Sequence, residues 1–206
     1  MRAYIHACGL TTGGTPIPPC DSAKLSFYTI PTSRRMTQQE SSIDRVLAHN
    51  ARFAESFDRE PLSAPPQRKL IVVACMDARI NLERALGLRY GDAHILRNAG
   101  GTVTDDVLRS IIVSTNALGT REIMVINHTG CGMMGCTDAG LRQELAQKHG
   151  PTDQAPPDFH AFTDLNDHVR KQVAILRQHP WIPADTALRG FTYDVETGRL
   201  HEVDCG

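Results

Sequence analysis

Three short, largely apolar runs punctuate the chain. They are Leu70 to Ala74, closing on Cys75; Ala93 to Leu96, ahead of Arg97-Asn98-Ala99-Gly100-Gly101; and Glu122 to Asn127, closing on His128. Continuous rather than alternating hydrophobicity over this length predicts strands of a parallel sheet buried on both faces. Elsewhere the apolar spacing changes to three and four. From a cap at Ser41 or Ser42, residues Ile43, Val46, Leu47, Phe53, Ala54 and Phe57 predict an amphipathic helical arm over 41–60, set off from the strand-rich body by Pro61 and Pro65-Pro66. Its apolar face needs a surface, on its own domain or on another subunit. Thr104-Asp105-Asp106 caps a second helix running to about Leu118, with Val107, Leu108, Ile111, Ile112 and Thr115 inward and Gly119 as its stop. Further helices are expected over 134–148 and 159–178, either side of a Pro-rich loop at 151–157, and Leu188 to Val203 reads as a hairpin turning at Glu196-Thr197-Gly198. Strands alternating with helices predict a three-layer α/β fold, a central mostly parallel sheet flanked by helices.

The first 40 residues do not share this patterning. They hold Gly13-Gly14, Pro16, Pro18-Pro19 and Pro31, with Asp21 the sole acid before Glu40. A disordered tail is expected; an acid-poor targeting segment and a true start at Met36 are the alternatives. The remainder, 41–206, is long enough for one domain with a full core. Over the whole chain, 206 residues with 41% hydrophobic, 22% charged and a net charge of -1 describe a soluble protein. Its basic residues are scattered among acids, so no nucleic-acid partner is expected. No apolar run approaches the roughly 20 residues that span a bilayer, so no membrane partner is expected either. The cysteines (Cys8, Cys20, Cys75, Cys131, Cys136, Cys205) sit in a chain too large to need disulfide staples, which favours a reducing, cytoplasmic compartment.

Chemistry gathers where two strands end. Cys75-Met76-Asp77-Ala78-Arg79 follows the first run, and His128-Thr129-Gly130-Cys131 follows the third. In open α/β sheets ligands bind beyond the carboxyl ends of the strands, so both motifs face one edge. Two thiolates and an imidazole suit tetrahedral zinc better than magnesium or calcium, and three protein ligands leave the fourth position for chemistry. Cys75, His128 and Cys131 are therefore the expected Zn2+ ligands. Cys136 is expected to behave as a small hydrophobe, Cys8, Cys20 and Cys205 to lie in flexible ends, and His94, His149, His160, His168, His179 and His201 to be surface or supporting groups. Two rival motifs fail on context. Gly130-Cys131-Gly132-Met133-Met134-Gly135 fits a dinucleotide fingerprint, but the acid-bearing strand that should follow falls in the Pro-rich loop. The Cys-based phosphatase loop needs a longer spacing than that from Cys75 to Arg79.

C-x-D-x-R followed by H-x-x-C between α/β strands resembles the beta-class carbonic anhydrases. The likeness extends through Arg97-Asn98-Ala99-Gly100-Gly101, Leu118-Gly119-Thr120-Arg121-Glu122 and His128-Thr129-Gly130-Cys131-Gly132-Met133 to Leu188-Arg189-Gly190-Phe191 and Tyr193-Asp194-Val195. It is nearest to the short bacterial members and excludes the first 40 residues. The resemblance implies a zinc lyase, active through zinc-bound hydroxide on carbon dioxide and bicarbonate, and built as a homodimer or dimer of dimers. It makes Asp77 and Arg79 the catalytic dyad. Asp77 is expected to serve as a fourth ligand in a closed state and to be held by the Arg79 guanidinium in the open one. Backbone groups of Ala99, Gly100 and Gly101 are expected to shape the substrate pocket. Relatives with the same centre hydrolyse carbonyl sulfide or carbon disulfide, and pocket shape rather than ligand motif separates these substrates. A non-catalytic zinc scaffold would have no use for Asp77 and Arg79.

Overall fold

A computed structural model describes residues 41–57 and 63–206; the expectations for 1–40, including Cys8 and Cys20, lie outside the described residues. The helical arm is α1 (Ser42–Glu55), opened by Ser41, whose hydroxyl accepts from the Asp44 amide while the Asp44 carboxylate accepts from the Ser41 amide. The body continues as β1 (Leu70–Cys75), α2 (Leu82–Leu86), β2 (Ala93–Asn98), a 3-10 turn at Ala99–Gly101, α3 (Asp105–Ala117), β3 (Glu122–His128), α4 (Asp138–His149), α5 (Leu165–Gln178), β4 (Ala187–Tyr193) and β5 (Leu200–Val203). The sheet order is β2-β1-β3-β4-β5, parallel except for β5, which returns antiparallel along β4 through the expected C-terminal hairpin.

The α/β class and the mostly parallel sheet agree with the sequence pattern. β1 is buried from Ile71 to Cys75, as a continuous apolar run requires. Its alternate residues feed two cores. Ile71 and Val73 pack with Ile123 and Val125 under Val107 and Ile111 of α3 and Val169, Val173 and Leu176 of α5. Val72 and Ala74 pack with Ile126 and Phe191, covered by Ile80 and Leu82. One face thus carries two long helices, while the other is capped mainly by the short α2 and its flanks. Gly190 lets α5 lie close on β4, since a Cβ there would collide with Val169 and press on Val173 and Cys205.

Four expectations need correction. α4 starts at Asp138 rather than 134, because the preceding backbone is spent elsewhere: Gly135 takes a positive φ of 97°, and Met133 and Gly135 pair with Phe162. α5 starts at Leu165 rather than 159 for the same reason. Asp138 accepts from the amides of Phe159 and Ala161, each at 2.8 Å, which holds that stretch out of the helix, with His160 between them at a φ of 59°, until Asp164 caps α5. α2 has no counterpart in the sequence reading; five residues are too few for periodicity, although the Asn81 cap and left-handed Gly87 mark its ends. Cys205 is not in a flexible end: it packs half-buried against the α3–α5 core.

α1 is the exception to this packing, since none of its residues is buried. Ile43 is 71% exposed and Val46, Leu47, Phe53 and Phe57 are exposed with it. No helix among the described residues is long and apolar enough to cross a membrane.

Candidate metal centre

β1 and β3 are hydrogen-bonded neighbours, with Ala74 opposite Ile126, so their carboxyl ends place Cys75 and His128 side by side. The chain then reverses through Thr129 and Gly130, where a φ of 65° permits a turn tight enough to bring Cys131 back to the same spot. The donor atoms of Cys75, His128 and Cys131 all lie within 4.8 Å of one another, and all three residues are buried. The sulfurs are 4.0 Å apart, about twice a disulfide bond, which is a spacing for two donors on one ion. No disulfide joins Cys75, Cys131, Cys136 or Cys205.

The imidazole is oriented for coordination. Nδ1 of His128 donates to the Thr129 carbonyl at 2.9 Å, which fixes the proton on that nitrogen. Nε2 is left buried with no hydrogen-bond partner. A lone pair desolvated in this way, beside two thiols, is what a metal would satisfy. The donor set fits zinc.

The thiols are prepared for the same role. Cys75 is drawn down to about 4, chiefly by the hydrogen bond from the Cys131 thiol, with help from His128 and the backbone at Asp77 and Gly100 against the cost of burial. Cys131 is pushed up because it gives that hydrogen bond and is itself buried.

Asp77 borders the donors without joining them. Its Oδ1 accepts from the Arg79 amide at 2.9 Å and from Nε at 3.0 Å, and its Oδ2 from Arg79 Nη2 at 2.7 Å. Arg79 is anchored in turn on the Gly130 carbonyl at 3.0 Å, between the two later ligands. This bidentate grip holds the Asp77 carboxyl down at about 2, well below the usual carboxylate range. Its Oδ2 lies 3.7 Å from His128 Nε2. Asp77 and Arg79 are thus brought to the centre as the motif suggests, with the carboxylate in the grip of Arg79.

Ala99, Gly100 and Gly101 form the 3-10 turn beside β1 and serve as its brace. Asn98 ties the turn end to end by accepting from the Thr102 amide and donating to the Thr102 carbonyl, each at 2.8 Å. Asn127 donates to the carbonyls of Gly100 and Gly101. Gly101 lies so close to β1 that a Cβ would sit 2.9 Å from the Cys75 nitrogen.

Two features were not apparent from sequence. Phe162, with Met133, Met134 and Leu165, forms an apolar wall around the two sulfurs. Behind it Phe162 stacks on His168 at 3.9 Å, and burial takes that imidazole down to about 4, so it stays neutral and supports the wall. The other feature is Arg97, whose side chain reaches across from β2 to the carbonyls of the Cys75–Ile80 segment. Its only sequence signal was a place in the Arg97-Asn98-Ala99-Gly100-Gly101 run. Cys136 is not one of the donors; its sulfur faces the Gly132 and Met133 carbonyls at 3.6 and 3.8 Å. The glycines of the dinucleotide-like pattern lead into turns around Cys131 and not directly into a helix.

A sequence profile of the family described as carbonic anhydrase matches residues 70–200, which span every site residue above. The chain is 41% identical over 160 residues to "Beta-carbonic anhydrase 1" of Mycobacterium tuberculosis, covering 78% of this chain and 96% of that protein. The chain belongs to the beta-carbonic anhydrase family. Among solved structures, a carbonic anhydrase from Streptococcus mutans superposes with a TM-score of 0.76 at 42% identity, over 81% of this chain and 99% of that one. Another relative carries a second chemistry in its name. A carbon disulfide hydrolase of Acidithiobacillus thiooxidans is 39% identical over 160 residues, covering 69% of this chain and 80% of that protein.

Proposed function

We propose that this beta-carbonic anhydrase family member is a zinc enzyme that hydrates carbon dioxide reversibly to bicarbonate and a proton. The observation that carries the reading is the buried Cys75–His128–Cys131 triad with the Asp77–Arg79 pair at its rim. Cys75 and Cys131 as thiolates and His128 through Nε2 would hold the metal. When bound, zinc supplies a Lewis acid that acidifies a coordinated water and so generates a nucleophile near neutral pH. Asp77, kept ionised by Arg79, would accept a hydrogen bond from a water in the site and orient it toward carbon. Released from Arg79, the same carboxylate lies within reach of the donor set and would serve as a fourth ligand, closing the site. The wall of Phe162, Met133 and Met134 keeps bulk water from the sulfurs and suits a small, apolar substrate.

Stopped-flow hydration of carbon dioxide by the zinc-loaded protein tests the reading, with carbonyl sulfide and carbon disulfide hydrolysis measured alongside. Fast hydration supports it. Sulfide release without hydration would move the substrate to the second chemistry, which the likeness to a carbon disulfide hydrolase makes the specific rival. Arg79→Ala is expected to retain zinc and lose about 10²- to 10³-fold in kcat/KM, because a preorganised group beside the reacting atoms is gone. Unchanged kinetics in that variant would remove Arg79 from the mechanism.

The exposed apolar face of α1 supports assembly with a second copy. Light scattering should give a dimer or a multiple of it, and Leu47→Asp together with Phe53→Asp should shift the mass toward the monomer. A monomeric parent protein would contradict this. Thiolate ligands must remain reduced, which supports a cytoplasmic setting.

A further inference from the structure

We propose that Arg97 is a positioning residue, which aims the Asp77–Arg79 pair at the Cys75–His128–Cys131 centre; the proposal rests on the function assigned above. β2 lies parallel to β1 with Arg97 opposite Ala74 and Asn98 opposite Cys75. The last rung between these strands is the Met76 amide on the Asn98 carbonyl at 2.9 Å. Past it, β1 leaves the sheet, and no strand is left to fix the direction of its peptides. Arg97 takes over that task with its side chain. Nε donates to the Cys75 carbonyl at 2.9 Å, Nη2 to the Asp77 carbonyl at 2.7 Å and Nη1 to the Ile80 carbonyl at 3.1 Å. A single rigid fork therefore holds the start, the middle and the end of the segment that carries the dyad.

The charge of Arg97 is devoted to this grip. No carboxylate pairs with it among the described residues, whereas Arg68, Arg79, Arg109, Arg170 and Arg189 each have an acid partner. The two arginines divide the work on Asp77: Arg79 fixes the carboxylate, and Arg97 fixes the peptide from which the carboxylate extends. A lysine cannot replace Arg97, because a point charge on a flexible stem cannot reach three diverging carbonyls at once. A purely structural arginine would act through Cys75 and hence through the metal. A positioning arginine would leave the metal bound and slow the chemistry, since misplacing a reacting group by about 1 Å can cost ~10²-fold.

The test uses full-length Arg97→Lys and Arg97→Ala with the parent protein. Zinc content, the absorption spectrum of the cobalt-substituted form, and kcat and KM for carbon dioxide hydration are measured on each. Zinc content and the cobalt spectrum, which reports the thiolate and imidazole donors, are expected to match the parent. kcat should fall by roughly 10- to 100-fold with KM little changed. Guanidinium ion added to Arg97→Ala should restore part of the rate, and the same addition should do nothing for Arg97→Lys, where an ammonium occupies the site. Parental kcat in both variants would overturn the proposal, and so would activity lost in step with zinc in both. If the parent does not hydrate carbon dioxide, the functional reading fails first, and hydrolysis of carbonyl sulfide or carbon disulfide becomes the rate on which Arg97 is judged.

Discussion

Replacing Cys131 with serine is expected to strip the protein of zinc and lower carbon dioxide hydration by at least ~10³-fold, equivalent to about 4 kcal/mol of barrier. The serine oxygen is a harder donor that remains protonated near neutral pH, so the substitution removes one of the two soft anionic ligands that favour zinc. The loss should exceed that in Arg79→Ala, which leaves the donor set intact. Metal content by atomic emission, paired with stopped-flow kinetics, separates the two variants. A Cys131→Ser protein that keeps both zinc and rate would remove Cys131 from the centre.

The largest loss of stability is expected from Gly101→Ala. Two costs combine at this position. A φ of 60° is unfavourable for alanine by roughly 1–2 kcal/mol. The new methyl would also meet Cys75 N at 2.9 Å, Asn127 Nδ2 at 3.0 Å and Ala74 C at 3.1 Å. Two of these neighbours are backbone of the buried strand β1, which cannot yield locally, so overpacking adds roughly 1–3 kcal/mol. Together they give about 2–5 kcal/mol, a large share of a typical domain's stability of about 5–15 kcal/mol. Gly87→Ala is the matched control. It has a φ of 61° and nothing within 4 Å of the added carbon, so it should show the conformational cost alone. Urea denaturation of the two variants checks the difference; equal losses would mean that the close approach of the turn to β1 carries no energetic weight.

The parts of this protein that could be read from sequence are those whose cause is local. Cys75 and His128 close apolar runs, Gly130 must turn, and Cys131 follows at a fixed short distance, so the triad and the strand ends were visible together. The amphipathy of α1 was equally plain, because a period of three and four needs no tertiary knowledge. What remained hidden depends on distant residues. The start of α5 was misplaced because Asp138, over twenty positions earlier, captures the amides of Phe159 and Ala161. The wall of Phe162 and His168 forms by packing across the same gap. Arg97 stood in a recognised run, yet its role depends on the β1–β2 register, which places it opposite Ala74 and which hydrophobicity alone does not reveal. Cys205 was misread because a terminal position suggested mobility, while Gly190 provides it with a berth beside α5.

Two of the candidate metal donors stand at the ends of adjacent parallel strands, and this predicts an order for the maturation of the enzyme. The Ala74–Ile126 pairing fixes the gap between Cys75 and His128 once the sheet closes, and the Gly130 turn brings Cys131 to them. Zinc fingers need their metal in order to fold. With backbone pairing setting the donor positions, the polypeptide is expected to fold first and be loaded afterwards. Apoprotein refolded in the presence of chelator should recover its helix and sheet signals in full, and then gain activity at the rate of zinc uptake rather than at the rate of folding.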